Sequence, residues 1–359
     1  LVLLGFSLIV LLLFALVLRS AARAGVLVSL FLLLFFSYGV VHRALWEGRT
    51  KVPGSGTQIL LIVWVVIFVG GVVLVSRMRR GLEEITKILN LVAVILVMFS
   101  VARIGLYEFR TRSALWGSHN VDGIRLVPEI PLQADKLPNI YYIILDGYAR
   151  ADTLEELYNY DNSEFLGFLE QKGFFVADKS QSNYAQTALS LASTLSLGYL
   201  HDFASRVGPE FDDRQPLERM IKDSVVVQFL KQQGYVTVAF PTGYSPTTLD
   251  NADVYMGPGQ AWNSLEVLLL RNTPIPWLVV QQSPLSSHAL HIRNIKYVFE
   301  HLADTAHMQS PHFVFAHVVV PHPPFLVDEH GNEIPQNREF HTQDGNRFLL
   351  GGGTREEYL

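Results

Sequence analysis

Asn139-Ile140-Tyr141-Tyr142-Ile143-Ile144-Leu145-Asp146-Gly147 begins the globular part of the chain. From Asn139 to Leu145 it is an almost unbroken apolar and aromatic run, as expected of a strand buried on both faces, and it stops abruptly at Asp-Gly. A carboxylate therefore stands where a buried strand ends. In open α/β sheets ligands collect in the crevice outside the carboxyl ends of the strands, so Asp146 is placed as a metal ligand or catalytic acid would be. Phe313–Val320 is a second continuous apolar run, and it ends at Pro321-His322-Pro323-Pro324-Phe325. If the two strands run parallel in one sheet, Asp146 and His322 open into the same crevice.

Outward from these strands the pattern is mixed. Asp152–Tyr160 and Ser163–Lys172 have helical spacing, and the second ends at Gly173 before a short expected strand, Phe174–Val176. Val225–Gln233 is a further expected helix, stopped by Gly234 and followed by the strand Tyr235–Phe240. His288–His307 is a longer amphipathic helix. Helices alternating with short buried strands predict an α/β domain around a largely parallel sheet over residues 137–359. Thr354 and Glu357 have the spacing of a capping box, so a helix is expected to start at the end of the sequence. With Leu1 already inside an apolar run, the chain is expected to be a fragment at both ends.

The first hundred or so residues are different. Leu1–Leu18, Ala24–Val41, Ile59–Val75 and Ile85–Ala102 are apolar segments, each approaching the ~20 residues a bilayer requires, with basic or Gly/Ser/Pro-rich breaks between them. Four in succession predict a multi-pass anchor over residues 1–106, followed by a polar linker over 107–136. Lys87 and Asn90 interrupt the fourth segment near its start, where a lysine can reach the interface. Arg19, Arg23, Arg77, Arg79 and Arg80 would share one side of the membrane. Arg43, Arg49, Lys51, Arg103, Arg110 and Arg112 would share the other. The dense Arg77-Met78-Arg79-Arg80 run marks the cytoplasmic loop, which puts the chain after Ala102 outside the cytoplasm in a cell-membrane protein.

Composition agrees with a membrane part plus a globular one: 359 residues with 49% hydrophobic content are too apolar for an ordinary soluble domain. A net charge of −5 and dispersed basic residues argue against a nucleic-acid partner. The absence of cysteine excludes disulfides, thiolate metal sites and a cysteine nucleophile.

Ser182-Asn183-Tyr184-Ala185-Gln186-Thr187 precedes a helix-like segment, and a hydroxyl near a helix N-terminus is well placed to attack an anionic ester. A carboxylate, an imidazole and a hydroxyl also supply ligands for a hard or borderline divalent ion, which could activate that hydroxyl and neutralise a phosphate or sulfate oxygen. Each residue has an ordinary alternative. Asp146 could be a turn residue, Thr187 an N-cap, and His322 part of a rigid proline loop. His317 is expected to be a satisfied core histidine, and His288, His291, His301 and His307 to lie on the surface of one helix. Trp262, Trp277 and the segment Asn272–Leu278 could line a groove or belong to a core.

In order, Asn139 to Tyr148, Asn183-Tyr184-Ala185-Gln186-Thr187-Ala188-Leu189-Ser190 and His317 to Phe325 resemble the sulfatase-like branch of the alkaline phosphatase superfamily. More narrowly they resemble its membrane-anchored members, the relatives of lipoteichoic acid synthases and phosphoethanolamine transferases. The resemblance covers roughly residues 137–330 and the anchor. It implies an α/β/α sandwich, a divalent metal (Zn, Mn or Mg), Asp146 as first acidic metal ligand, Thr187 as nucleophile and metal ligand, and His322 as a contact to the substrate's phosphoryl group. Two departures qualify it. No Cys- or Ser-x-Pro-x-Arg pattern for formylglycine follows Asn183, so Thr187 argues for phosphoryl chemistry. The superfamily's Asp-His pair is also absent; Asp344-Gly345 has no histidine beside it, and the pair would fall beyond Leu359.

The expected activity is thus a membrane-bound, metal-dependent hydrolase or transferase acting on phosphodiester or phospholipid head groups, with a lipid-linked or glycan substrate and the lipid bilayer as partners. The alternatives are a sulfuric-ester hydrolase and a non-catalytic membrane-tethered domain of the same fold.

Overall fold

The computed structural model describes residues 2–46, 54–78, 81–115, 137–259, 264–278, 287–334, 345–350, 352–354 and 356–358. The chain divides into two compact units, Leu1–Tyr107 with Gln260–Ser283, and Glu108–Gly259 with Pro284–Leu359.

The first unit opens with helices α1 (Val2–Leu18), α2 (Ala21–Trp46), α3 (Gly54–Arg77) and α4 (Leu82–Leu115). Ala21–Leu45, Gly56–Arg77 and Leu82–Phe109 are long and apolar enough to cross a membrane, whereas α1, with 17 residues, is a shorter apolar helix. The expected linker is corrected at its start, because α4 continues to Leu115. No glycine or proline occurs between Gly105 and Gly117, so nothing in the sequence stops the helix sooner. The rest of the expected linker, 116–136, lies outside the described residues. Aromatic rings join α1, α2 and α3: Phe6 meets Phe31 and Phe35, and Phe68 meets Phe14 and Phe31. Polar groups add fixed points inside the apolar stretch. Tyr38 Oη donates to Thr57 O at 3.0 Å, His42 Nε2 lies 3.0 Å from Thr57 Oγ1, and Trp64 Nε1 donates to Leu34 O at 2.8 Å.

The second unit contains β1 (Ile140–Leu145), α5 (Ala151–Tyr158), α6 (Ser163–Gln171), α7 (Thr187–Leu195), α8 (His201–Val207), α9 (Gln215–Lys222), α10 (Val225–Gln232), β2 (Val236–Ala239) and β3 (Val254–Tyr255). Two helices of the first unit follow, α11 (Ser264–Arg271) and α12 (Ile275–Leu278). The second unit then resumes with α13 (Ser287–His301), β4 (His312–Val318) and α14 (Gly345–Leu350). A 3₁₀ segment, Leu302–His307, completes the expected long helix. At the end of the sequence the capping pair forms as spaced: Glu357 N–H donates to Thr354 Oγ1 and Thr354 N–H to Glu357 Oε2, before a 3₁₀ turn.

The four strands are parallel in the order β1-β4-β2-β3. Every residue of β4 is buried, as a central parallel strand requires. Ala239, Phe313 and Phe315 face a core built from α7, α9 and α10. Val238, Val314 and Ala316 face a second core with Ile292, Ile295 and Val298 of α13. Helices therefore cover both sides of a small parallel sheet.

Two expectations are corrected here. β1 is an edge strand, and Tyr141 and Ile143 on one face are 40% and 47% exposed, so it is not buried on both faces. Phe174–Val176 forms no strand; Gly173, at φ +88°, turns the chain out of α6 and leaves Phe175 91% exposed.

Candidate active site

Asp146 extends β1 by one step, its N–H donating to Val318 O at 2.9 Å. Its carboxylate thereby sits at the carboxyl rim of the sheet, next to the central strand. Gly147 then turns the chain at φ +83°. A Cβ at that position would lie 3.1 Å from His322 Cα, so the loops leaving β1 and β4 pass close together where the left-handed backbone already favours glycine.

Thr187 reaches the same point from the other direction. It is the first residue of α7, and Gln186 takes the N-cap position, so the N-cap alternative for Thr187 does not hold. The Thr187 hydroxyl lies 3.3 Å from each carboxylate oxygen of Asp146 and donates to them. No side chain caps α7, leaving its first-turn N–H groups directed at the space beside Thr187. The loop before it is pinned. Asn183 Nδ2 donates to Ser193 Oγ at 3.0 Å, Leu200 N–H to Tyr184 Oη at 2.7 Å, and Arg214 Nη2 to Gln186 Oε1 at 3.2 Å. Arg214 also donates to Tyr244 Oη at 3.0 Å, which places a guanidinium one residue from the hydroxyl.

His317 is the group that sequence reasoning left out of the site. It is buried, as a core histidine should be, but its Nε2 lies 3.3 Å from Asp146 Oδ2. Its Nδ1 lies 2.8 Å from Thr247 Oγ1. The ring thus stands between the Asp146 carboxylate and the Thr247 hydroxyl, which also donates to Tyr244 O at 3.1 Å. The available signal was register: His317 pairs with Ile144, and its side chain projects on the Phe313 and Phe315 face, where α7 packs.

His322 does not hydrogen-bond either partner directly. Its Nδ1 donates to Pro323 O at 2.6 Å, and its backbone lies against Gly147. Burial pushes the Asp146 carboxyl up, but the His317 hydrogen bond, the charges of His317 and His322, and the Thr187 hydrogen bond together hold it below the usual carboxylate range. Asp146 is thus an anion that accepts from a hydroxyl.

His291 corrects another expectation. It is 4% exposed, not on the surface, and its ring fills the space above Gly243. Burial is the main cause of a pKa lowered to about 4, so this imidazole is neutral behind the rim. His301, by contrast, is partly exposed and pairs with Asp304. The side chains of Trp262 and Trp277 lie outside the described residues.

The donor set fits part of a metal shell. A carboxylate and a hydroxyl oxygen converge as a divalent ion would need, but Zn, Mn or Mg takes four to six ligands. Among the described residues no group of three or more His, Asp or Glu side chains gathers here or elsewhere. No family model, curated protein or solved structure matches the chain.

Proposed function

We propose that the chain is a membrane-anchored, sulfatase-like phosphohydrolase or phosphotransferase of the alkaline phosphatase superfamily, acting on phosphodiester or phospholipid head groups outside the cytoplasm. The observation that carries this reading is the convergence of the Thr187 hydroxyl on ionised Asp146 at the uncapped start of α7. A hydroxyl whose proton is held by a carboxylate, facing free backbone N–H groups, is a nucleophile beside an anion site.

In this reading Thr187 gives its hydroxyl proton to Asp146 as Oγ bonds to phosphorus and the bond to the leaving oxygen breaks; the leaving oxygen takes a proton from water and departs as an alcohol, giving a phospho-threonine. Water or an acceptor hydroxyl then takes the phosphoryl group and restores the threonine. Asp146 fixes the hydroxyl and accepts its hydrogen bond, His317 holds Asp146 in place, and His322 Nε2 lies on the loop beside the incoming phosphoryl oxygens. Asp146 and Thr187 would also hold a divalent ion, which when bound supplies positive charge for the phosphate and acidifies the hydroxyl. Lipid-linked donors and glycan or lipid acceptors suit a site on a chain with a bilayer anchor.

Thr187→Ala in the full-length protein should lower metal-dependent phosphodiester turnover by about 10³-fold or more, with Thr187→Ser keeping part of it. Undiminished turnover by Thr187→Ala would overturn the assignment. Paired sulfate and phosphate esters separate this activity from a sulfuric-ester hydrolase. One observation favours a non-catalytic domain instead, the two-donor site among the described residues; metal analysis of the purified full-length protein decides it, since retention of no divalent ion would exclude the enzyme.

A further inference from the structure

Between Gly259 and Pro284 of the globular unit the sequence makes an excursion that belongs to the other unit. Its described part, α11 and α12, is anchored on α2 through main-chain contacts. Gly39 N–H donates to Asn272 O at 2.8 Å. A Cβ on Gly39 would overlap Arg271 O and stand only 2.8 Å from Asn272 Cα, so no other residue permits this approach. Arg43, one turn further along α2, donates from Nη1 to Arg271 O at 3.1 Å and from Nη2 to Asn272 Oδ1 at 2.6 Å. Thr273, 3% exposed, closes the turn between the two helices by donating to Leu270 O at 2.7 Å and accepting from Ile275 N–H at 3.2 Å.

The depth of this anchor is set by α2. Gly39 lies inside the apolar stretch Ala21–Leu45, about 9 Å from its end at 1.5 Å per residue. A bilayer crossed by α2 would there be at the boundary between head groups and acyl chains. At that level the excursion presents Leu265, Leu268 and Ile275 outward, 63%, 54% and 40% exposed, with the exposed Arg271 beside them at the end of α11. Trp262 and Trp277 stand at its two ends in the sequence, in the pattern of residues that favour a membrane interface. A water-facing loop would have no reason to combine these features.

We infer that Ser264–Leu278 is an interfacial membrane element, seated on α2 with Leu265, Leu268 and Ile275 in the head-group and acyl-chain boundary of the bilayer. This rests on the membrane part of the proposed function and adds a second kind of lipid contact, at the interface, to the spanning helices. The occupant of the apolar face is lipid.

The 359 residues contain no cysteine, so a label placed among them competes with no native thiol there. The full-length protein in phosphatidylcholine/phosphatidylglycerol nanodiscs would carry an environment-sensitive fluorophore at Leu268→Cys, with Val65→Cys in α3 and Phe175→Cys as spanning and aqueous references. The Leu268 label should be quenched several-fold more than the Phe175 label by a nitroxide near the lipid head group, and protected from iodide. Gly39→Leu, or the milder Arg43→Ala, should shift it towards the Phe175 values. A Leu268 label that matches Phe175 while Val65 is quenched overturns the inference alone. A Leu268 label shielded from both quenchers also overturns it, by indicating protein there. An unquenched Val65 label overturns the membrane reading with it.

Discussion

Thr187 Oγ1 lies 3.3 Å from both carboxylate oxygens of Asp146, a residue 41 positions earlier in the chain. The contact joins the end of an edge strand to the start of a helix, and neither element could supply it alone. Asp146→Asn keeps the shape but removes the charge, and should lower affinity for a divalent ion at least about 100-fold, as loss of a ligand does when lesser changes cost 10–100-fold. Calorimetric titration with Mn or Zn, beside a circular dichroism check of folding, measures this.

Thr247 is 0% exposed and its hydroxyl is the partner of His317 Nδ1. Thr247→Val keeps the volume and leaves that nitrogen buried without a hydrogen bond, which should cost about 1–3 kcal/mol. The thermal midpoint should fall and recover in Thr247→Ser. A valine variant as stable as the parent would show that His317 does not need this partner.

Asp253 ties β2 to β3. Its Oδ2 accepts from Thr237 N–H at 2.9 Å and Thr237 Oγ–H at 2.7 Å, and its Oδ1 from Lys231 Nζ at 2.8 Å. Burial pushes its carboxyl up, but these bonds outweigh it and hold the pKa down at about 2. The folded value is below the unfolded one, so the stabilisation is present above pH ~4 and is lost as pH falls towards 2. With the side chain 43% exposed, solvent screening reduces the effect to roughly 1 kcal/mol. Urea titrations between pH 6 and pH 2 should show this component in the parent and not in Asp253→Asn.

Gly243 stands at φ +73°, and a Cβ there would overlap the His291 ring. Gly243→Ala combines left-handed strain with a clash against a buried imidazole and should destabilise by about 1–3 kcal/mol. Differential scanning calorimetry gives the value, and an unchanged midpoint would mean the His291 ring can move aside.

What was legible in the sequence was whatever depends on a local run of side chains. β4 and β1 stand out as continuous apolar stretches, and Asp146 and Thr187 as polar groups at element ends. What was not legible depends on neighbours supplied by distant chain. β1 and β4 look alike in sequence, yet one is at an edge and the other central, because strand order is set by crossovers and not by composition. Phe174-Phe175-Val176 has strand-forming residues but, among the described residues, no partner strand to bond. His317 and His291 differ from surface histidines only through the register and the helix face that bury them. The excursion at Ser264–Leu278 has only its flanking tryptophans as a local sign; the contact that seats it depends on Gly39, an ordinary glycine within an apolar helix.

The exposed face of β1 has a practical meaning. Among the described residues no strand bonds to the outer edge of Ile140–Leu145, and Tyr141 and Ile143 beside it are 40% and 47% exposed. An unpaired strand edge next to half-exposed side chains forms a template for strand addition. A globular piece spanning residues 137–359, prepared by itself, is therefore expected to self-associate edge to edge, and a charged residue at Ile143 would be the first change to try for keeping it monomeric.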